Sequence, residues 1–257
     1  MFYGFKIEKM VDDIVDWIRE WFEQNGKDCN AVIGISGGKD STISAALCVK
    51  ALGKDRVIGV LMPNGEQKDL DDAKCVVDCL GIRSVICNIK TAVDAVLNSL
   101  TMTGVEPSEQ ALINLPPRIR MSTLYTVSQS NNGRVINTCN LSEDVCGYST
   151  IYGDYAGDVA IIDAFTVTEL LMIGHYLCKD LGLPDRLIDK SPADGLTGKS
   201  DEEILGFTYE VLDHYIRTGE CDDVSAWEKI KARRDASLFK RGLIDIPYFD
   251  PGIRSWI

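Results

Sequence analysis

Six consecutive residues carry the densest chemistry in this chain: Ser36, Gly37, Gly38, Lys39, Asp40 and Ser41. Two glycines remove side chains that would hold an anion away from the backbone, and two serines add hydroxyl donors. A turn of this kind at a helix start points successive N–H groups at its contents, and the helix dipole favours a negative charge there. Asp40 is the odd member. A carboxylate beside phosphates repels them unless a cation sits between, so Asp40 implies Mg²⁺. The alternative is that Asp40 is a plain helix cap. The loop is not a Walker A motif, because Ile33 and Asp40 stand where that motif needs Gly and Ser or Thr.

The surrounding pattern supplies the elements that must position this loop. Residues 31–35 form a short apolar run that reads as a buried parallel strand. From Ser41 onward, Ile43, Ala46, Leu47 and Leu52 recur at helical spacing, and Gly53 stops them. Ahead of the loop, Ile7, Met10, Val11, Ile14, Trp17, Ile18, Trp21 and Phe22 define an amphipathic helix ended by Asn25-Gly26. Its aromatic stripe packs on its own domain or faces a partner subunit. Further strands are expected at 56–62, 84–89 and 134–138, with helices over 69–80 and 91–100. Pro116 and Pro117 exclude a mid-helix position, so a helix is expected to begin around Pro117 and run to Asn131. The Gly- and Asp-rich stretch 147–163 reads as an ordered binding loop. Thr166 to Glu169 and Ser200 to Glu203 are capping boxes, opening helices to Leu181 and through Tyr215. Residues 184–199 read as a Pro- and Gly-rich loop, and a last helix spans 224–236.

This alternation predicts an α/β fold with a doubly wound, mostly parallel sheet. In such sheets ligands sit at the carboxyl ends of the strands, which gathers residues 36–41, 63–69 and 138–143 on one rim. The 257 residues are expected to form a single domain with a helical C-terminal part from about residue 200. The net charge of −12 disfavours general affinity for nucleic acid or anionic membranes. No run is long and apolar enough to span a bilayer, and residues 1–5 lack a signal-peptide layout, so a cytoplasmic protein is expected. Nine cysteines without a Cys-x-x-Cys pair read as reduced and mostly buried thiols, with Cys75 and Cys79 one helical turn apart in the core. The two histidines, His175 and His214, fall on expected helices and read as structural.

The Ser-Gly-Gly-x-Asp-Ser pattern resembles the pyrophosphate-binding loop of ATP pyrophosphatases that adenylate their substrates. Four further stretches, in order, resemble ammonia-dependent NAD synthetases: Arg118-Ile119-Arg120-Met121 with Leu124-Tyr125; residues 137–143 continuing to Tyr152-Gly153-Asp154; residues 190–202; and Phe207-Thr208-Tyr209 with Leu212-Asp213. The resemblance covers nearly the whole chain and implies an adenine nucleotide alpha-hydrolase-like, three-layer fold. It implies a ligase in which the nicotinate carboxylate of deamido-NAD attacks the α-phosphate of ATP and ammonia then displaces AMP.

By position, the resemblance makes Asp40 and Glu143 catalytic Mg²⁺ ligands. It assigns ATP contacts to Gly34, Ile35, Ser36, Gly37, Gly38, Lys39, Asp40, Ser41 and Thr138. It assigns deamido-NAD contacts to Arg118, Asp158, Phe239 and Lys240. It also implies a homodimer, with ammonia drawn from solution or from a separate subunit. Departures from the family pattern occur at Asn137, Ile151, Val167, Ala193 and Phe239. They leave open a divergent enzyme that adenylates another carboxylate or a tRNA base, and an inactive nucleotide sensor.

Overall fold

The computed structural model describes residues 6–66, 69–190, 200–240, 245–253 and 255–256. In chain order the elements are α1 (Ile7–Asn25), β1 (Asn30–Gly34), α2 (Lys39–Leu52), β2 (Val57–Leu61), α3 (Leu70–Leu80), β3 (Arg83–Ile86), α4 (Lys90–Met102), α5 (Glu109–Ser130), β4 (Gly133–Asn137) and α6 (Leu141–Cys146). They continue with β5 (Val159–Ala160), α7 (Val167–Leu181), α8 (Arg186–Asp189), α9 (Asp201–Leu205), α10 (Tyr209–Thr218) and α11 (Val224–Ser237).

The strands form one parallel sheet in the order β3-β2-β1-β4-β5, with Ala31 beside Val57, Asn30 beside Gly133 and Ile136 beside Val159. Side chains alternate across it, as a strand's period of two requires. Ala31, Ile33, Val57 and Leu61 face a core shared with α1, α2, α3 and α7, while Val32, Ile58 and Val60 face α4 and α5. The aromatic stripe of α1 stays within the chain, where Trp17 meets Phe249 edge to face. Strand order reverses between β1 and β4. A doubly wound sheet opens a crevice at that point, between the carboxyl ends of the two strands.

A smaller core joins α6 and the start of α7 to α9, α10 and α11, through Val145, Leu205, Phe207, Leu212, Ile216 and Ile230. Leu171 packs against both this core and the main one. The terminal segment returns to the sheet, where Ala160 N–H donates to Pro247 O at 2.9 Å beside β5.

Several expectations need correction. Helix α5 starts at Glu109, capped by Ser108, and runs through Pro116 and Pro117. The prolines leave the carbonyls of Leu112 and Ile113 without helical partners, but that stretch is exposed and water can meet them. The helix expected from Ser200 to Tyr215 is two, because Gly206 adopts a left-handed φ of 78° and Thr208 caps a new start. The loop 147–163 contains β5, too short to leave a periodic signal. Residues 184–190 include the short helix α8, while 191–199, with Ala193, lie outside the described residues. Cys79 is exposed and Cys75 half-buried, so this pair is not in the core, although Cys29, Cys48, Cys139, Cys146 and Cys178 are buried and all nine are free thiols.

Candidate active site at the strand-order switch

The loop leaves β1 after Gly34, where a β-carbon would meet Met62 and Leu124, and Ile35 anchors it by donating from its N–H to Val60 O at 2.9 Å. The Ile35 side chain is buried, leaving its backbone as the part available to a ligand. Gly37 has φ 83°, and a β-carbon there would meet Ala73 N at 2.7 Å and the Asp72 β-carbon at 2.9 Å. The loop is thus seated directly on the first turn of α3. Hydroxyls brace it from within. Ser41 Oγ accepts from Ser36 N at 3.3 Å, Ser36 Oγ accepts from Gly38 N at 3.2 Å, and Thr42 Oγ1 donates to Gly38 O at 2.7 Å. The amides of the first turn of α2 have no acceptor within the helix, which makes this end the usual anion-binding one.

Two carboxylates converge on the crevice from opposite sides of the switch, Asp40 from α2 and Glu143 from α6. Asn140 stands between them. Its Nδ2 donates to Asp40 Oδ1 at 3.4 Å, its N–H to Glu143 Oε2 at 3.4 Å, and its Oδ1 accepts from Glu143 N at 3.1 Å. The last two contacts are a capping box that fixes Glu143 at the start of α6. Burial and the charge of Asp40 push the Glu143 carboxyl up to about 8, against a lowering effect from Lys39. Glu143 is therefore no solvated helix residue. Two acids share a site that the cations among the described residues only partly balance.

Lys39 is that partial balance. It is buried, pairs with Asp40 at 2.8 Å and lies 6.0 Å from the centre of the Tyr209 ring. Burial pulls its ammonium down, but Asp40 and Glu143 outweigh that and hold it above its ordinary value. Behind it, Asp201 accepts from Tyr148 Oη at 3.0 Å and Tyr209 Oη at 3.4 Å. Burial pushes the Tyr209 hydroxyl well up, so it stays protonated.

The start of α6 is tied to the C-terminal helices. Ser142 Oγ donates to Asp213 Oδ1 at 2.5 Å and accepts from Val167 N at 3.0 Å, while Asp213 Oδ2 accepts from Thr168 N at 2.8 Å. Beneath this, the buried Arg217 holds Glu169 through Nε at 2.9 Å and Nη2 at 2.6 Å. Glu169 also accepts from Thr166 N at 2.9 Å, as the capping box at α7 requires.

The remaining expected contacts lie along the rim. Thr138 is half-buried just past the end of β4. Arg118 is exposed on α5 and donates from Nε to Ile151 O at 3.3 Å. Asp158 Oδ2 accepts from Val135 N at 2.7 Å, and its hydrogen bond to Tyr125, with burial the larger cause, holds that hydroxyl at about 12. Lys240 Nζ donates to Gly147 O at 2.8 Å and Ser149 O at 2.7 Å, so the turn that follows α11 closes on the 147–154 loop. Phe239 is exposed beside it. Arg118 and Lys240 therefore grip one loop from two sides, whereas Asp158 fastens the following strand to β4.

Sequence reasoning named no role for Asn140, Asp201, Tyr209 or Asp213. Asn140 was accessible as the cap of an Asn-x-x-Glu box. The others come together only through packing of α9 and α10 on α6.

Most of the chain is similar to known proteins. The family model described as NAD synthase matches residues 10–241. The NH(3)-dependent NAD(+) synthetase of Pyrococcus furiosus is 40% identical over 210 residues, 81% of this chain and 77% of that protein. The structure of NMN synthetase from Francisella tularensis superposes with a TM-score of 0.85 at 30% identity, covering 96% of this chain and 100% of that one. The NH3-dependent NAD synthetase from Campylobacter jejuni gives a TM-score of 0.73 at 29% identity, over 95% and 99% of the two chains.

Proposed function

This chain belongs to the NAD synthase family, and from that premise we propose that it is an ATP-dependent ligase that converts the carboxylate of deamido-NAD to an amide with ammonia. The observation that carries the reading is the pairing of Asp40 with Glu143 across the switch, beside a glycine-lined helix start. The substrate carboxylate oxygen bonds to the α-phosphorus of ATP as the bond to the pyrophosphate bridging oxygen breaks. Ammonia then adds to the acyl carbon, AMP leaves with that carboxylate oxygen, and a proton passes to solvent. No protein nucleophile is required.

The chain's own groups meet these needs. The first-turn amides of α2 and the Ser36 and Ser41 hydroxyls receive the departing pyrophosphate, where preorganised donors lower the barrier most. Gly37 and Gly38 let the phosphates reach the backbone. Lys39 stays charged and pairs with Asp40 at 2.8 Å. The donor set also fits Mg²⁺, since two hard carboxylate oxygens with an unbalanced charge suit a cation that keeps several waters and binds phosphate oxygens. When bound, Mg²⁺ would neutralise charge growing on the phosphate oxygens. Among the rim residues, Arg118 suits a phosphate or carboxylate and Asp158 a ribose hydroxyl. A homodimer belongs to the same reading.

A second reading keeps the chemistry and changes the acceptor to nicotinate mononucleotide. The high superposition with an NMN synthetase favours it, together with Ile151 where the family resemblance expects a lysine or tryptophan. Both are tested by supplying ATP, Mg²⁺ and ammonium with each acid and measuring AMP and amide. Higher kcat/KM with deamido-NAD supports the first reading, and higher kcat/KM with the mononucleotide supports the second. AMP formation with neither acid would remove both.

A further inference from the structure

Two thiols on α3 lie outside the chemistry described so far. Cys75 Sγ and Cys79 Sγ are 3.9 Å apart on successive turns, with Cys79 exposed and Cys75 half-buried. Arg186, on α8, donates from Nη2 to Cys75 Sγ at 3.4 Å and from Nη1 to Asp72. This is a cationic, accessible setting of the kind that marks reactive cysteines. Burial and the contact with Cys75 hold the Cys79 thiol above its ordinary value, as expected when two sulfurs share a proton.

The pair is mechanically linked to the phosphate loop. Asp69 O and the Asp72 β-carbon are part of the wall against which Gly37 is seated. Lys190 holds the same turn through Asp69 at 2.6 Å and Asp72 at 2.9 Å. Arg186 thus joins the thiols to the residues that support the loop.

We propose that Cys75 and Cys79 form a reversible dithiol–disulfide site for small disulfide oxidants, and that its closure loosens the seat of the phosphate loop. In the first step Cys75, giving its proton to solvent, attacks one sulfur of the oxidant through Sγ and expels the other as a thiolate, which takes up a proton. In the second, Cys79, having lost its proton to solvent, attacks Cys75 Sγ and expels the remaining half. Two protein thiols are oxidised and one small disulfide is reduced to two thiols. Neighbours at this helical spacing have β-carbons about 5–6 Å apart, whereas a disulfide needs about 3.5–4.5 Å. Closure therefore distorts α3 and turns Cys75 away from Arg186.

The effect on nucleotide binding rests on the ligase reading, whereas the thiol chemistry does not. The test treats the reduced protein with oxidised glutathione, alkylates remaining thiols with N-ethylmaleimide, and examines the tryptic peptide 75–83, which holds these two cysteines alone. The expected peptide is unalkylated and lighter by two hydrogens, and the KM for ATP rises about fivefold and recovers with dithiothreitol. The Cys79→Ser variant should keep its KM through the treatment. A peptide with both cysteines alkylated, or both carrying glutathione, overturns the site. A disulfide with unchanged KM overturns the coupling to the loop. If the reduced protein turns over neither acid, ATP affinity by calorimetry replaces KM, and the peptide mass still decides the site.

Discussion

Replacing Glu143 with Gln tests the acidic pair without touching the fold around it. Gln keeps an oxygen to accept from Asn140 N, so the cap on α6 survives. In the wild type the Glu143 carboxyl moves from 4.5 to about 8 on folding, driven by burial and by Asp40. Between those pH values the unfolded chain has lost this proton and the folded one keeps it. Stability from this group must therefore fall as pH rises through that window. The full shift corresponds to a ceiling of roughly 5 kcal/mol. The residue keeps some contact with solvent and Lys39 is close, so about 2–3 kcal/mol is the working expectation. Urea unfolding in EDTA should show wild type and Glu143→Gln nearly equal at pH 5 and the variant more stable by that amount at pH 9. Added Mg²⁺ and pyrophosphate should shrink the gap by stabilising the wild type alone. Parallel pH profiles for the two proteins would refute the argument that Glu143 is held against an unbalanced charge.

Three other substitutions probe separate parts of the account. Asp40→Asn should abolish pyrophosphate release while the thermal midpoint moves by no more than a few degrees, and near-normal activity would show that Asp40 is a cap. Gly37→Ala faces a left-handed φ and the backbone of Ala73, a strain of about 1–2 kcal/mol that the loop relieves by moving. The KM for ATP should rise at least about tenfold, and an unchanged KM would detach the loop from nucleotide binding. Arg217→Met strands the buried Glu169 carboxylate, which should cost about 3–5 kcal/mol in chemical denaturation. A loss under about 1 kcal/mol would mean that the Arg217–Glu169 pair does not hold these helices together.

The parts of the fold that were legible in the sequence were those with local physics. The β1–loop–α2 unit shows as an apolar run, two glycines and a helical repeat, and the parallel sheet follows from alternating strands and helices. The capping boxes at Thr166 and Ser200 are local as well. Helix α5 defeated the proline rule because solvent at Leu112 and Ile113 tolerates the missing hydrogen bonds. Strand β5 is two residues long and is held by neighbours rather than by pattern. Asp201, Tyr209 and Asp213 reach the site only because Leu205, Leu212 and Ile216 pack on α6, a long-range event with no spacing signature. Cys75 and Cys79 misled for the converse reason: thiols one turn apart mark a helix face, and nothing local says whether that face is covered.

The account's central claim is that the acid substrate is activated by bonding its carboxylate oxygen to the α-phosphorus of ATP in the crevice between β1 and β4. The direct measurement is turnover with ¹⁸O in the nicotinate carboxylate, followed by mass analysis of the products. One labelled oxygen in AMP and none in pyrophosphate is the predicted result. Label appearing in pyrophosphate or inorganic phosphate, or unlabelled AMP alongside amide product, would contradict it.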